Sequence, residues 1–356
     1  MEPSCLRPRL LASLTTIAVI LAACTTVDRV APSPPPIASS ITARPHSLPS
    51  YIYVLNQAAG HHSITVYPGG ASGNVSPVRE IYPASSAAAF QFGIALDPSH
   101  HLFVTQGNAS SYGDGYVELA ANANGAATPI RSVHGSATHL TSPFAIWYHQ
   151  GEVLVTDASP DYEIKMFPAT SNGNVAAEPV ITHVGGVSTG NPFGIVVAPS
   201  GRIFVSICCS PYPNNLNYSA IWIYAADAFG NTPPLHKIAG SKTLLNGPSQ
   251  LALDSNGTLY VVNEDSVTEY ASGQFGNVAP VRRIAGSLTK LTYNNGRAYG
   301  IAVDSSGRVY VTTATGNLNG FVRIFAPNAN GNVAPVRSIS GSLTSLWQPQ
   351  VIAIQQ

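Results

Sequence analysis

The chain has 356 residues, of which 10% are charged, and its 17 basic and 17 acidic side chains cancel to a formal net charge of zero. A neutral, charge-poor chain lacks the basic face that a nucleic-acid backbone or an anionic surface selects, so no nucleic-acid partner is expected. Its 31 glycines and 28 prolines call for many turns and short strands rather than long helices.

The N-terminus reads as a targeting segment. Arg7 and Arg9 precede an apolar run, residues 10–21, and then small residues, the order of a secretory signal over 1–23. The run is shorter than the ~20 residues that a membrane span needs. Leu21-Ala22-Ala23-Cys24 resembles the bacterial lipobox. That resemblance implies acylation of Cys24 (palmitate among the chains), anchorage to the bilayer of a bacterial cell envelope and, with Thr25 rather than Asp next, the outer membrane of a Gram-negative cell. Residues 24–50 are then the lipidated Cys and a Pro- and Ser-rich tether. Extended at ~3.1 Å per residue, it would reach about 75 Å.

From residue 51 the chain repeats itself. GNVAPVR stands at 276–282 and again at 331–337, with variants GNVSPVR (73–79), NGAATPIR (124–131), GNVAAEPVI (173–181) and GNTPPLH (230–236). The glycines 73, 125, 173, 230, 276 and 331 lie 46 to 57 residues apart, a period that points to stacked or radial repeats. The last repeat shows the unit: YGIAVD (299–304), RVYVT (308–312), FVRIFA (321–326) and VAPVRSI (333–339) are four strands rich in β-branched and aromatic residues, broken by Gly, Asn, Asp and Ser. Asp304…Gly307 and Asp254…Gly257 fit tight structural turns. A lone four-stranded sheet cannot bury both faces, but six around an axis can. YIYV (51–54) matches a second strand without a first, and VIAI (351–354) a first without a second. The expectation is an all-β, six-bladed propeller over 51–356, monomeric, with its ring closed by the C-terminal strand pairing in the N-terminal blade.

PFGIVVAPSGRIFVS (192–206) and YGIAVDSSGRVYVT (299–312) resemble the NHL-repeat family of six-bladed propellers. The resemblance covers about 51–356 and implies architecture. Of the Asp and Asn that follow this stretch in the family, only fragments remain, such as Asp157 and Asn263. In a propeller the 1–2 and 3–4 turns share one face, and the 2–3 and 4–1 connections share the other. The 3–4 hairpin here keeps its length from repeat to repeat while the 2–3 connection does not. The uneven face is therefore the expected binding face, and the repeated phrase is scaffold. Its arginines (79, 131, 282, 337) read as outer-strand residues whose stems lie on apolar surface.

Several candidates follow. The longest variable loop, 207–220, carries Cys208, Cys209, Tyr212 and Tyr218. The adjacent cysteines either form a strained bridge or remain two buried thiols. Phe92, Phe144, Phe193 and Tyr299 open first strands and serve either as packing between blades or as an apolar ligand mouth at the axis. Asn56, Gln106, Asp157, Asn263 and Glu264 end second strands and offer at most a weak oxygen-donor site. The gluconolactonase-like relatives hold a divalent metal in the central channel. By resemblance, the alternative function is a metal-dependent lactonase, hydrolase or lyase using Ca²⁺ or another divalent cation; otherwise no cofactor is expected. His61-His62 and His100-His101 are adjacent pairs, whose rings face opposite ways and toward solvent. The leading expectation is a binding scaffold that engages a protein, peptide or glycan through its variable face.

Overall fold

A computed structural model describes residues 49–356 apart from 59, 85–87, 109–114, 159, 186–189, 209–217, 293–295 and 316–318. The signal, Cys24, nearly all of the tether, Cys209 and Tyr212 lie outside the described residues.

Six antiparallel sheets make the six blades of a β-propeller. In blade 1 the innermost strand is Pro349–Gln355, followed outward by Tyr51–Asn56, Ser63–Pro68 and Arg79–Pro83. The chain end thus completes the first blade, with Val54 opposite Ile352 and Tyr53 opposite Ala353. The inner strands of blades 2 to 6 are Ala88–Leu96, Pro143–His149, Asn191–Val197, Leu251–Leu253 and Arg297–Val303.

Each blade is buried on both faces because successive side chains point to opposite neighbours. In Tyr51–Asn56, Ile52 and Val54 pack with Tyr310 and Ile324 of blade 6. Tyr53 and Leu55 pack with Phe90, Ile94 and Val104 of blade 2. The predicted tight turns are present, with Asp254 Oδ1 accepting the amides of Asn256 and Thr258 and Asp304 Oδ1 those of Ser306 and Arg308.

The repeated phrase joins blades. Gly73, Gly125, Gly173, Gly230, Gly276 and Gly331 each form a parallel bridge to the outer strand of the preceding blade, on Ile339, Ile81, Val133, Ile181, Ile238 and Ile284. These bridges cover strand edges that would otherwise be open. The outer strand is shorter than expected: in blade 6 it spans Arg337–Ile339 rather than 333–339, since Pro335 has no amide to give to a ladder. The arginines do more than lay stems on apolar surface. Arg79 donates to the carbonyls of Ala121 and Ala123 in blade 2, and Arg337 to those of Gly69 and Ala71 in blade 1. Arg131 and Arg282 pair with the buried Glu118 and Glu269 of their own blades.

One motif escaped the sequence reading. Gly-Ser-x-Thr follows the outer strand at 135–138, 240–243, 286–289 and 341–344. Its Thr hydroxyl donates to the Gly carbonyl. Its third-position amide is held by the Asn after the turn glycine of the following blade: Asn174, Asn277, Asn332 or Asn74, at 2.7–2.8 Å. The signal was a second phrase with the same period as the first.

Candidate binding site at the axial mouth

The start of each inner strand brings one residue to the axis on the face of the 4–1 connections. From blade 2 round to blade 1 these are Phe92, Phe144, Phe193, Ser249, Tyr299 and Gln350, and with Gln250 and Val351 they line a cavity of about 290 Å³. Phe92 and Phe144 stack with ring centroids 4.2 Å apart and 4° between their planes. Phe144 meets Phe193 edge-on at 4.5 Å. All four predicted aromatics are therefore brought together, half-buried, at a mouth rather than inside an inter-blade core.

A local irregularity aims these residues. In five blades the inner strand breaks register at the mouth residue: between Phe90 and Ile94, Pro143 and Ile146, Pro192 and Ile195, Ala298 and Ile301, and Pro349 and Val351. A bulge of this kind frees backbone groups and redirects a side chain. In blades 2, 3, 4 and 6 a Thr or Ser within the second strand bonds to these groups. Thr105 Oγ1 donates to Phe144 O at 3.1 Å, Thr156 Oγ1 to Phe193 O at 3.5 Å, Thr312 Oγ1 to Gln350 O at 3.3 Å, and Ser206 Oγ to Ser249 O. The hydroxyls of Thr156, Ser206 and Thr312 also accept the amides of Ala145, Gly194 and Gly300. Blade 5 has Val262 at this position, and there Ser249 Oγ reaches Tyr299 O at 2.6 Å. Gly93, Gly194 and Gly300 follow the mouth residue because a Cβ would lie within 2.2–2.7 Å of the next blade's Phe144, Ser249 or Gln350 carbonyl oxygen. The Thr or Ser that recurs after the hydrophobic triplet in blades 2, 3, 4 and 6 was visible in the sequence, but its partner lies in another blade.

Gln250 crosses the axis, its Nε2 3.4 Å from Phe92 O of the opposite blade. Below it, a second cavity of about 210 Å³ is lined by the inner strands, including Ile94, Ile146, Ile195, Leu251, Ile301 and Ile352. Among the described residues, neither cavity is lined by a carboxylate or a basic side chain. An unpaired ionic group would therefore enter at a high desolvation cost.

The other predicted residues are placed elsewhere. Asn56, Asp157 and Asn263 occupy one equivalent position in blades 1, 3 and 5, fully buried, and each ties down the incoming 4–1 connection. Their Oδ1 atoms accept the amides of Trp347, Ser142 and Asn246 at 3.1, 2.6 and 3.0 Å. On the other side, Asn56 and Asn263 donate to Thr65 and Thr268, both at 3.1 Å, while Asp157 holds the buried ammonium of Lys165. Burial by itself would lower the Lys165 pKa, but the surrounding Asp157, Asp161 and Glu163 raise it above the usual lysine value. Glu264 is half-exposed and paired with Arg297 at 2.8 Å. These four side chains are not among those that line the two axial cavities. Gln106 also lies away from both axial cavities. Tyr218 packs on blade 4 and accepts from Trp222 Nε1 at 3.4 Å, away from the mouth. Cys208 is disulfide-bonded.

No family model matches the chain, and no curated protein does. Solved structures share its fold. A Bacteroides caccae protein of unknown function superposes with a TM-score of 0.60 at 12% identity, over 86% of this chain and 100% of that one. A Lactobacillus plantarum protein gives 0.52 at 13%, over 82% of each chain. The periplasmic gluconolactonase PpgL of Pseudomonas aeruginosa gives 0.52 at 14%, over 86% of this chain and 99% of that one. At such identities the likeness is one of fold.

Proposed function

We propose that the protein is a binding propeller, tethered to a bacterial envelope through Cys24, that holds a neutral aromatic or aliphatic group of a protein or peptide in its axial mouth. The observation that carries this reading is the lining: three phenylalanines and a tyrosine converge where six strands meet, with no ionic side chain among them. A glycan is the weaker choice, because it needs several free polar partners. Ser249 and Gln250 already hold Tyr299 O and Phe92 O. A hydrolase on this axis would need carboxylate or imidazole groups converging there, and the lining supplies none.

The test is a fragment screen by NMR with indole, p-cresol and N-acetylglucosamine. The two aromatic fragments should shift resonances of residues around Phe92, Phe144 and Tyr299, and Phe144→Ser should abolish those shifts. Binding of the sugar alone, or hydrolysis of gluconolactone, would overturn the reading.

A further inference from the structure

Blade 2 departs from its neighbours on the opposite face. Its 1–2 turn is built like those of blades 5 and 6, with Asp97 Oδ1 accepting the amides of Ser99 and His101 at 2.8 Å. The second carboxylate oxygen differs. In blade 6, Asp304 Oδ2 receives Arg308 Nε at 2.7 Å and Tyr310 OH at 3.0 Å. In blade 5, Tyr260 OH approaches Asp254 Oδ2 at 3.5 Å. In blade 2 the tyrosine position is Phe103 and the arginine position is His101. Asp97 Oδ2 therefore faces an imidazole nitrogen, His101 Nδ1, at 3.5 Å. The same nitrogen lies 3.0 Å from Glu118 Oε1. Glu118 is almost fully buried, and Arg131 holds its other oxygen. Blade 5 carries the same buried Glu–Arg pair, Glu269 with Arg282, but has Thr258 in place of the imidazole.

Three ligand-type atoms thus converge within 4.8 Å, the group of this kind found among the described residues. One imidazole nitrogen carries at most one proton and cannot saturate two carboxylates. A divalent cation can. Zinc bonds of ~2.0–2.1 Å in tetrahedral geometry set ligand atoms about 3.3 Å apart, between the 3.0 and 3.5 Å observed. Two carboxylates outweigh the one guanidinium, so the pocket is net negative. Both carboxylates are oriented from behind, Asp97 by two amides and Glu118 by Arg131, as metal-binding carboxylates commonly are. The His101 side chain is 35% exposed, leaving room for entry and for a water ligand. We propose that Asp97, His101 and Glu118 bind a divalent transition metal of the Zn²⁺, Co²⁺ or Ni²⁺ class, which suits one nitrogen and two oxygens. Sequence reasoning set His101 aside with His100 because adjacent rings diverge; the partners that matter come from a turn and from the third strand.

The experiment is titration of the full chain with Zn²⁺ by calorimetry and with Co²⁺ by visible absorption. One ion should bind per chain. His101→Thr, which copies the folded blade 5, should weaken binding by at least ~10-fold. Glu118→Gln should do the same, with circular dichroism confirming the fold, and His100→Asn should leave binding unchanged. The proposal fails if His101→Thr binds as well as the parent, which places the ion elsewhere. It also fails if the parent takes up no metal at millimolar concentration.

Discussion

At the rim, four blade junctions use the same parts: a Gly-Ser-x-Thr turn on one side and an asparagine from the next blade on the other. At the axis, the six equivalent positions read Phe, Phe, Phe, Ser, Tyr and Gln. The rim parts recur at four of the six junctions and the axial position in all six blades, so both are under the same geometric constraint. The rim uses that constraint to place identical contacts. The axis uses it to aim different side chains at one point, holding the backbone constant with Thr and Ser hydroxyls while the mouth residue changes. Repetition of backbone with variety of side chain is what distinguishes the candidate site from the scaffold.

The largest effect should come from the contact both regions depend on, the closing strand. Ile352→Asp puts a carboxylate into the interface with blade 6 and should cost more than about 4 kcal/mol, read as loss of the cooperative urea transition. A small effect there would mean that the rim clasps alone hold the wheel.

Next is the odd member of the Asn56, Asp157, Asn263 set. Asp157→Asn leaves the Lys165 ammonium, with a side chain only 2% exposed, short of its buried counter-ion and should cost about 3 kcal/mol. Adding Lys165→Thr recreates the Asn–Thr pair of blades 1 and 5 and should bring stability back to within ~1 kcal/mol of the parent. Chemical denaturation of the two variants decides it, and failure of the double variant would show that blade 3 is not interchangeable with the others.

At the rim, Gly286→Ala sets a Cβ 2.6 Å from Asn332 at φ 118° and should cost about 2 kcal/mol. Gly276→Ala, at φ 83° with open space around it, should cost only ~1 kcal/mol for the backbone conformation. Equal losses of melting temperature would mean that the asparagine clasp carries no strain. At the axis, Thr156→Val should cost ~1 kcal/mol, less than Gly286→Ala because blade 5 already manages with Val262, and should blur the aromatic NMR shifts.

The smallest effect is on pH dependence. Burial alone would raise the Asp304 pKa, but bonds from Ser306, the Arg308 amide and Tyr310, together with the Arg308 charge, hold it below the usual carboxylate value. A depressed folded pKa means that the stabilisation is complete above the unfolded value of about 4 and disappears as pH falls through the folded one. Asp304→Asn should therefore lower stability at neutral pH and flatten its dependence on pH below about 4. Urea midpoints across that range give the result.

The architecture was readable because it is written as period. Turn glycines at regular spacing, and two half-blades at the chain ends, leave little choice but a closed ring. The aromatics of the mouth were readable as a set, though not as mouth or core, since side-chain periodicity is the same for both. The strand-end residues are ambiguous in sequence for a related reason. An Asn or Asp after a buried strand looks alike in sequence whether it faces the axis or caps an incoming loop, and the deciding amides of Trp347, Ser142 and Asn246 arrive from distant positions.

By itself the sequence determined the repeat, the strands within it, the closing partner of the first blade and the neutral character of the chain, since these follow from local alternation and spacing. Only the tertiary structure decided which repeated residues meet. The asparagine clasps, the Thr–carbonyl links round the axis, the Asp157–Lys165 pair and the Asp97, His101, Glu118 group all join segments whose contact exists only once the sheets are packed. Hydrogen bonding and metal ligation act over a few ångströms, and linear spacing does not carry that distance until the ring has closed.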